Sequence, residues 1–261
     1  MKCRRSLCCP TAGSCSEASS SRTTGAPRSR IARILADSSL DGSFAPGLGA
    51  NNAVDAVAAQ GDGRVLIGGL FTSVGGETRN YVARLNEDGS LDAGFNPPGG
   101  ANGRVRALLI LPGGKIMIGG DFTRFAGVDR NRIARLNSDG SLDESFVVGT
   151  GFNNSVYALA ASGSGVLVGG SFLSYGGAGA QRLAFLDNSG GLSPRLDTLV
   201  GPNNTVHALT LDPDGQVILG GAFTTANGLT RTRAARLLGA DGSVDTQLDP
   251  AGGQTTPCRR S

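Results

Sequence analysis

Residues 116–146 read IMIGGDFTRFAGVDRNRIARLNSDGSLDESF, and residues 66–95 read LIGGLFTSVGGETRNYVARLNEDGSLDAGF. The second is a near copy of the first, so the first question is whether the copies keep a fixed stride. They do. The GGxF motif places Phe at 71, 122, 172 and 223, with steps of 51, 50 and 51 residues. The ARL segment returns in phase at Arg84–Leu85, Arg135–Leu136, the variant Phe185–Leu186 and Arg236–Leu237. IARILADSSLDGSF, residues 31–44, is one more copy of the second half alone.

Each copy reads as short strands and turns. An alternating run such as VRALLIL (105–111) leads through a PGG or PDG turn into a second apolar run, KIMIGG (115–120). A variable, polar, Gly-containing loop follows, then a third strand (RIARL, 132–136), an Asp-Gly turn and a short fourth strand, SLDESF. Asp-Gly at such a place predicts a tight turn with positive φ at both central residues. No segment has a helical period. Four strands per roughly 50 residues is the arithmetic of a propeller blade. The expected fold is therefore an all-β β-propeller of four-stranded blades: four full units (54–104, 105–155, 156–205 and 206–250) after an N-terminal half unit (28–53), an incomplete or open ring. The GG pairs fit strand ends where backbone approaches closely, and the Phe two residues on reads as a plug between blades.

Composition agrees and excludes several classes. Glycine is abundant at 42 residues and Trp is absent, while a 39% hydrophobic fraction can bury a core. The longest apolar runs fall well short of the roughly 18 residues of a spanning helix, so no membrane span is expected. Net charge is +3, but removing the six cations and one acid of residues 1–27 and 251–261 leaves 18 Lys/Arg against 20 Asp/Glu. That body has no basic excess for a nucleic-acid partner. All five cysteines (Cys3, Cys8, Cys9, Cys15, Cys258) lie in those two end segments, read as disordered tails, without metal-ligand spacing, and no signal peptide is readable. No metal and no cofactor is expected.

Units of the form V-x-A-L…DG-x-ILIGG-x-F…IARLN-x-DGSLD-x-x-F resemble the delta-60 repeat, a bacterial β-propeller family, over roughly residues 28–250. The resemblance implies the fold and an extracellular or cell-surface setting, and brings no catalytic residues.

Comparing the copies with one another separates two kinds of position. Arg33, Arg84, Arg135 and Arg236 share one column, and Asp41, Asp92, Asp143 and Asp245 another. The unit that has Phe185 also has Ser193, so the Arg and Asp vanish together. This predicts a charge-assisted contact between the third and fourth strands. A second Arg column (Arg28, Arg79, Arg130, Arg231) and a second Asp column (Asp37, Asp88, Asp139, Asp241) are lost in the same unit, at Ala180 and Ser189. These columns read as structural. By contrast, the x of V-x-A-L differs in every copy: Asp55, Arg106, Tyr157, His207. In a propeller the first strand lines the central channel, so these four are the candidate ligand-binding residues, a solvated edge position being the plainer alternative.

No catalytic motif emerges. His207 is the sole histidine, and no GxSxG elbow or calcium-loop pattern is present. The expected function is a non-enzymatic module, a structural or protein/cell-surface interaction scaffold whose partner is an unknown protein or surface ligand. The alternative is a propeller enzyme or lectin-like domain taking a saccharide or small metabolite at the channel; a third reading is a spacer without a ligand. The half-blade edge also offers edge-to-edge self-association.

Overall fold

The computed structural model describes residues 30–163, 165–194, 201–238 and 242–247, together with the backbone of short strands at 7–8, 13–17, 22–23 and 26–27. The chain divides into two compact units, Met1–Gly151 and Phe152–Ser261. Both are built from the same antiparallel three-stranded sheet with consecutive strand order.

In the first unit, Val54–Ala59, Val65–Gly69 and Val82–Leu85 form one such sheet; Val105–Ile110, Ile116–Gly120 and Ile133–Leu136 form the next. In the second unit the sheets are Val156–Ser162, Gly165–Gly170 and Leu183–Asp187, then Val206–Leu211, Val217–Gly221 and Ala234–Leu237. The middle strand is apolar throughout because its alternate side chains feed two different cores. Ile67 packs back toward Ile31, Phe44 and Ala50 of the preceding sheet. Its neighbour Leu66 packs forward with Val105, Ile118 and Phe122 of the following one. Phe71, Phe122, Phe172 and Phe223 are completely buried, as the plug reading requires.

The paired glycines are explained by what a Cβ would strike. At Gly69 it would sit 2.1 Å from the Ala53 carbonyl oxygen, and at Gly68 it would sit 2.7 Å from Val105 of the next sheet. One glycine admits the neighbouring strand and the other admits the neighbouring blade.

Four details differ from the sequence reading. The fourth strand is reduced to single bridges, Leu85↔Leu91, Leu136↔Leu142, Leu186↔Leu192 and Leu237↔Val244, because the segment turns on its Asp within a few residues. The variable loop contains a two-residue hairpin, such as Ser73–Val74 paired with Glu77–Thr78, which hydropathy does not reveal in so short a span. In the Asp-Gly turns the Gly takes positive φ, as at Gly89 (86°), while Asp88 does not; its carboxylate instead accepts from the Ser90 amide. That is an Asx-type turn.

The fourth difference concerns the N-terminal half unit. Ile31–Leu35 pairs with Gly13–Glu17, which in turn pairs with Leu7–Cys8, giving a complete three-stranded sheet. Part of the segment read as a disordered tail is therefore extended, and the edge expected to be open is occupied on that side. Unpaired strand amides and carbonyls accept an extended partner whatever its side chains, so hydrophobic patterning gives no warning. Residues 251–261 lie outside the described residues.

Candidate functional site

The V-x-A-L column owes its position to a recurrent β-bulge. In each full sheet the register slips at the x residue: Val54 faces Gly69 and Ala56 faces Gly68, with Asp55 skipped between them. The same slip skips Arg106, Tyr157 and His207. A bulge re-aims the extra side chain while the flanking apolar residues stay on the core. Freedom from the ladder is the reason these four positions can differ.

In the first unit, both charged members are engaged. The Asp55 carboxylate accepts from Arg104 Nε at 2.6 Å and also from Arg104 Nη2, a bidentate pair linking the first strand of one sheet to the entry of the next. Arg106 donates through Nε to both oxygens of Asp121 at 2.8 and 2.9 Å, with Nη2 at 2.6 Å. Neither partner was singled out in the sequence, although Arg104 and Asp121 also change from copy to copy. In the second unit, the structure brings Tyr157 and His207 together with ring centroids 5.2 Å apart at 67°, an edge-to-face arrangement. Tyr157 is half-buried and His207 exposed.

The Arg and Asp columns behave as the clamp inferred from their joint loss. Arg33, Arg84, Arg135 and Arg236 donate through Nε to Asp41, Asp92, Asp143 and Asp245 at 2.6, 2.8, 2.6 and 2.8 Å. Three of these guanidiniums also lie over a buried Phe: Arg33 on Phe44 at 5.0 Å, Arg84 on Phe95 at 4.9 Å, Arg135 on Phe146 at 4.8 Å. The Ser43 hydroxyl, then Arg33, holds the Asp41 carboxyl down to about 2 in spite of burial. For Asp143, burial pushes upward, but Lys115, Ser145 and Arg135 outweigh it and leave the group well below the usual carboxylate range. Asp37, Asp88 and Asp139 are lowered as well, chiefly by the Ser hydroxyl two residues on. Arg28 and Asp241 lie outside the described residues.

A further column escaped the sequence reading. Asn51 accepts from the Thr72 and Ser73 amides at 2.8 and 3.1 Å and donates to the Thr72 hydroxyl, tying the loop before the first strand to the small hairpin. Asn102 and Asn203 repeat all three bonds, and Asn153 accepts in the same way from Leu173 and Ser174. The repeated Asn was visible in the copies. Among the described residues, no group of three or more His, Cys, Asp or Glu is placed to hold a metal ion. No helix there is long and apolar enough to cross a membrane.

Repeated sheets with inter-sheet cores, plug phenylalanines and a bulged first strand define the β-propeller class. The profile described as "Domain of unknown function (DUF5122) beta-propeller" matches residues 18–44, 60–95, 111–146 and 213–247, just over half of the chain. The chain belongs to this family. The unmatched unit is the one with Phe185 and Ser193. No curated protein matches. Among solved structures, the chain is similar to the extracellular domain of BT4673 from B. thetaiotaomicron, at 18% identity and TM-score 0.47 over 77% of this chain and 22% of that one. It is also similar to XC5397, a gluconolactonase from Xanthomonas campestris (15% identity, TM-score 0.48, 82% of this chain and 67% of that). A third is PorZ, a surface component of the type-IX secretion system of Porphyromonas gingivalis (13%, 0.45, 82% and 30%). The chain spans about a fifth of the length of the first of these.

Proposed function

We propose that this chain is a non-enzymatic propeller module of the delta-60 type, acting as an interaction scaffold on an extracellular or cell-surface protein. One observation carries the reading: Asp55, the sole acid in the variable column, is held from both oxygens by Arg104. A carboxylate so engaged fastens adjacent blades and is poorly disposed to take a proton or attack a substrate. Exposed apolar residues add surface for a partner: Ile218, at the position where Leu66 and Leu167 are buried, is 38% exposed.

The saccharide-binding alternative has one observation in its favour, the Tyr157–His207 ring pair with His207 exposed, since aromatic ring faces stack against sugars. The test is a panel of lactones, glycosides and free sugars assayed for turnover and for thermal stabilisation of the full chain. The scaffold reading expects no turnover and no sugar-induced rise in melting temperature. Turnover abolished by Asp55→Asn would overturn it in favour of an enzyme, and stabilisation abolished by Tyr157→Ala in favour of a lectin.

A further inference from the structure

Each sheet turns one face toward the sheet that follows it, and one sheet shows that face to solvent. On the sheet that starts at Val54 the forward face is Ala56, Ala58, Leu66, Gly68, Val82 and Arg84, in register across the three strands and all buried. The corresponding residues of the sheet that starts at Val206 are Ala208, Thr210, Ile218, Gly220, Ala234 and Arg236. None of them is buried, and Thr210 and Ile218 are exposed. The opposite face of this sheet is fully used, since Val206, Leu209 and Leu219 share a core with Leu167 and Phe185 of the preceding one. A repeat that meets water on its outer face is normally polar there, whereas this one keeps Ile218, Ala208 and Ala234.

The other copies show what such a face holds. At Gly68 an added Cβ would lie 2.7 Å from Val105 and 3.4 Å from Leu108 of the next sheet; at Gly169 it would lie 2.8 Å from Val206 and 2.7 Å from Leu209. Each glycine is a notch for the Val and Leu of a following V-x-x-L strand. At Gly220 the same Cβ meets only Ala208 of its own sheet, at 3.7 Å. The arginines supply a second fastening. Arg33 and Arg84 each donate Nη1 to the turn of the following sheet, at the Glu87 carbonyl (2.9 Å) and the Ser138 carbonyl (2.5 Å). Among the described residues Arg236 bonds Asp245 alone, and its side chain is 30% exposed against 7% for Arg84.

We propose that this face docks a blade of the same repeat carried by another protein, one that presents a V-x-x-L first strand and an Asp-Gly turn. Its Val and Leu enter at Gly220 beside Ile218, and its turn carbonyl accepts from Arg236 Nη1. Burial of the apolar face drives the contact, and the carbonyl fixes its register. A second copy of this chain is a poorer fit. The N-terminal sheet would then be the follower, and the turn of a follower is crowded by the sheet before it: a Cβ at Gly89 would lie 2.8 Å from the Ala45 nitrogen, and one at Gly140 would lie 2.9 Å from Phe95. The N-terminal sheet has Ser38 at that place, with φ of 68°, so a side chain stands where the contact needs glycine. The inference rests on the scaffold reading, to which it gives a partner class.

The probe is a fluorescently labelled, backbone-cyclised peptide of residues 206–221, a hairpin that offers Val206 and Leu209; cyclisation supplies the order a free two-stranded hairpin lacks. Anisotropy on titration with the full chain should show saturable binding, weakened about tenfold or more by Val206→Asp with Leu209→Asp in the peptide. Gly220→Ala in the chain should weaken binding by a similar factor without lowering the melting temperature, whereas Gly68→Ala should lower it. No saturable binding, equal binding of the substituted peptide, or undiminished binding to the Gly220→Ala chain would overturn the proposal. A loss of melting temperature in Gly220→Ala as large as in Gly68→Ala would overturn it too, by showing the notch already filled. Self-association of the unaltered chain that Gly220→Ala abolishes would make a second copy the occupant and refute the partner named here. Turnover or sugar binding would defeat the scaffold reading and leave this binding curve unchanged, so the two failures are distinguishable.

Discussion

The stretch 116–146 and the stretch 166–194 close the same turn with different chemistry. In the first, Arg135 lies over Phe146 and is paired with Asp143, which Lys115 also contacts. In the second, Phe185 and Ser193 stand in the places of the Arg and Asp, Phe185 is 4% exposed, and the Tyr175 hydroxyl donates to the Gly190 carbonyl at 2.6 Å. The backbone does not register the change. Asp143 N–H donates to the Arg135 carbonyl at 2.8 Å, and Ser193 N–H donates to the Phe185 carbonyl at 2.8 Å. The turn is therefore held by the main chain, and the ion pair is an exchangeable unit laid over it. Half of that unit is worse than none, since a buried charge without its partner costs more than an apolar replacement.

The plug phenylalanines are common to both stretches and should weigh most. Phe122→Ala and Phe172→Ala should each cost about 4 kcal/mol in denaturant unfolding, because each removes a fully buried aromatic ring and leaves a cavity. Unequal losses would mean that the blades differ in packing as well as in charge. Next comes Asp143→Ala, which strands Arg135 and should cost about 3 kcal/mol by the same measurement. The double change Arg135→Phe with Asp143→Ser copies the other stretch and should cost less than that single change, about 1 kcal/mol. A double variant less stable than Asp143→Ala would break the comparison.

Acid supplies the gentlest probe. Asp41 sits at about 2 in the folded chain against an ordinary 3.8, and Asp143 is lowered too. A depressed folded value means the stabilisation is complete above the ordinary carboxylate value and is lost as pH falls through it toward 2. Melting temperature should thus stay flat from pH 7 to about 5 and decline below about 4, less steeply in the Arg135→Phe, Asp143→Ser chain. A parallel decline in both chains would remove the Arg135–Asp143 pair as a source of acid sensitivity.

What the copies made legible depended on recurrence. The stride of Phe71, Phe122, Phe172 and Phe223 discloses the blades, and the joint loss at Phe185 and Ser193 discloses the Arg–Asp clamp from sequence alone. The bulge at Asp55 was hidden because a register slip alters pairing without altering the alternation of apolar residues. Arg104 and Asp121 were hidden because each occurs once, and a pair present in one copy has no column to betray it. The strand at Gly13–Glu17 lacks the apolar signature altogether, being recruited through its backbone. The column of Arg79, Arg130 and Arg231 stands out in the copies and reads as structural; what the sequence does not show is that each buries its Nε without a hydrogen-bond partner among the described residues.

The most direct test of the exchangeable clamp is a double-mutant cycle at Arg135 and Asp143 with alanine at each position, read by urea unfolding. A coupling energy of about 2 kcal/mol or more, with the double variant far more stable than the sum of the single losses, is the predicted result. Losses that add to within about 0.5 kcal/mol would show two residues acting separately and contradict the account.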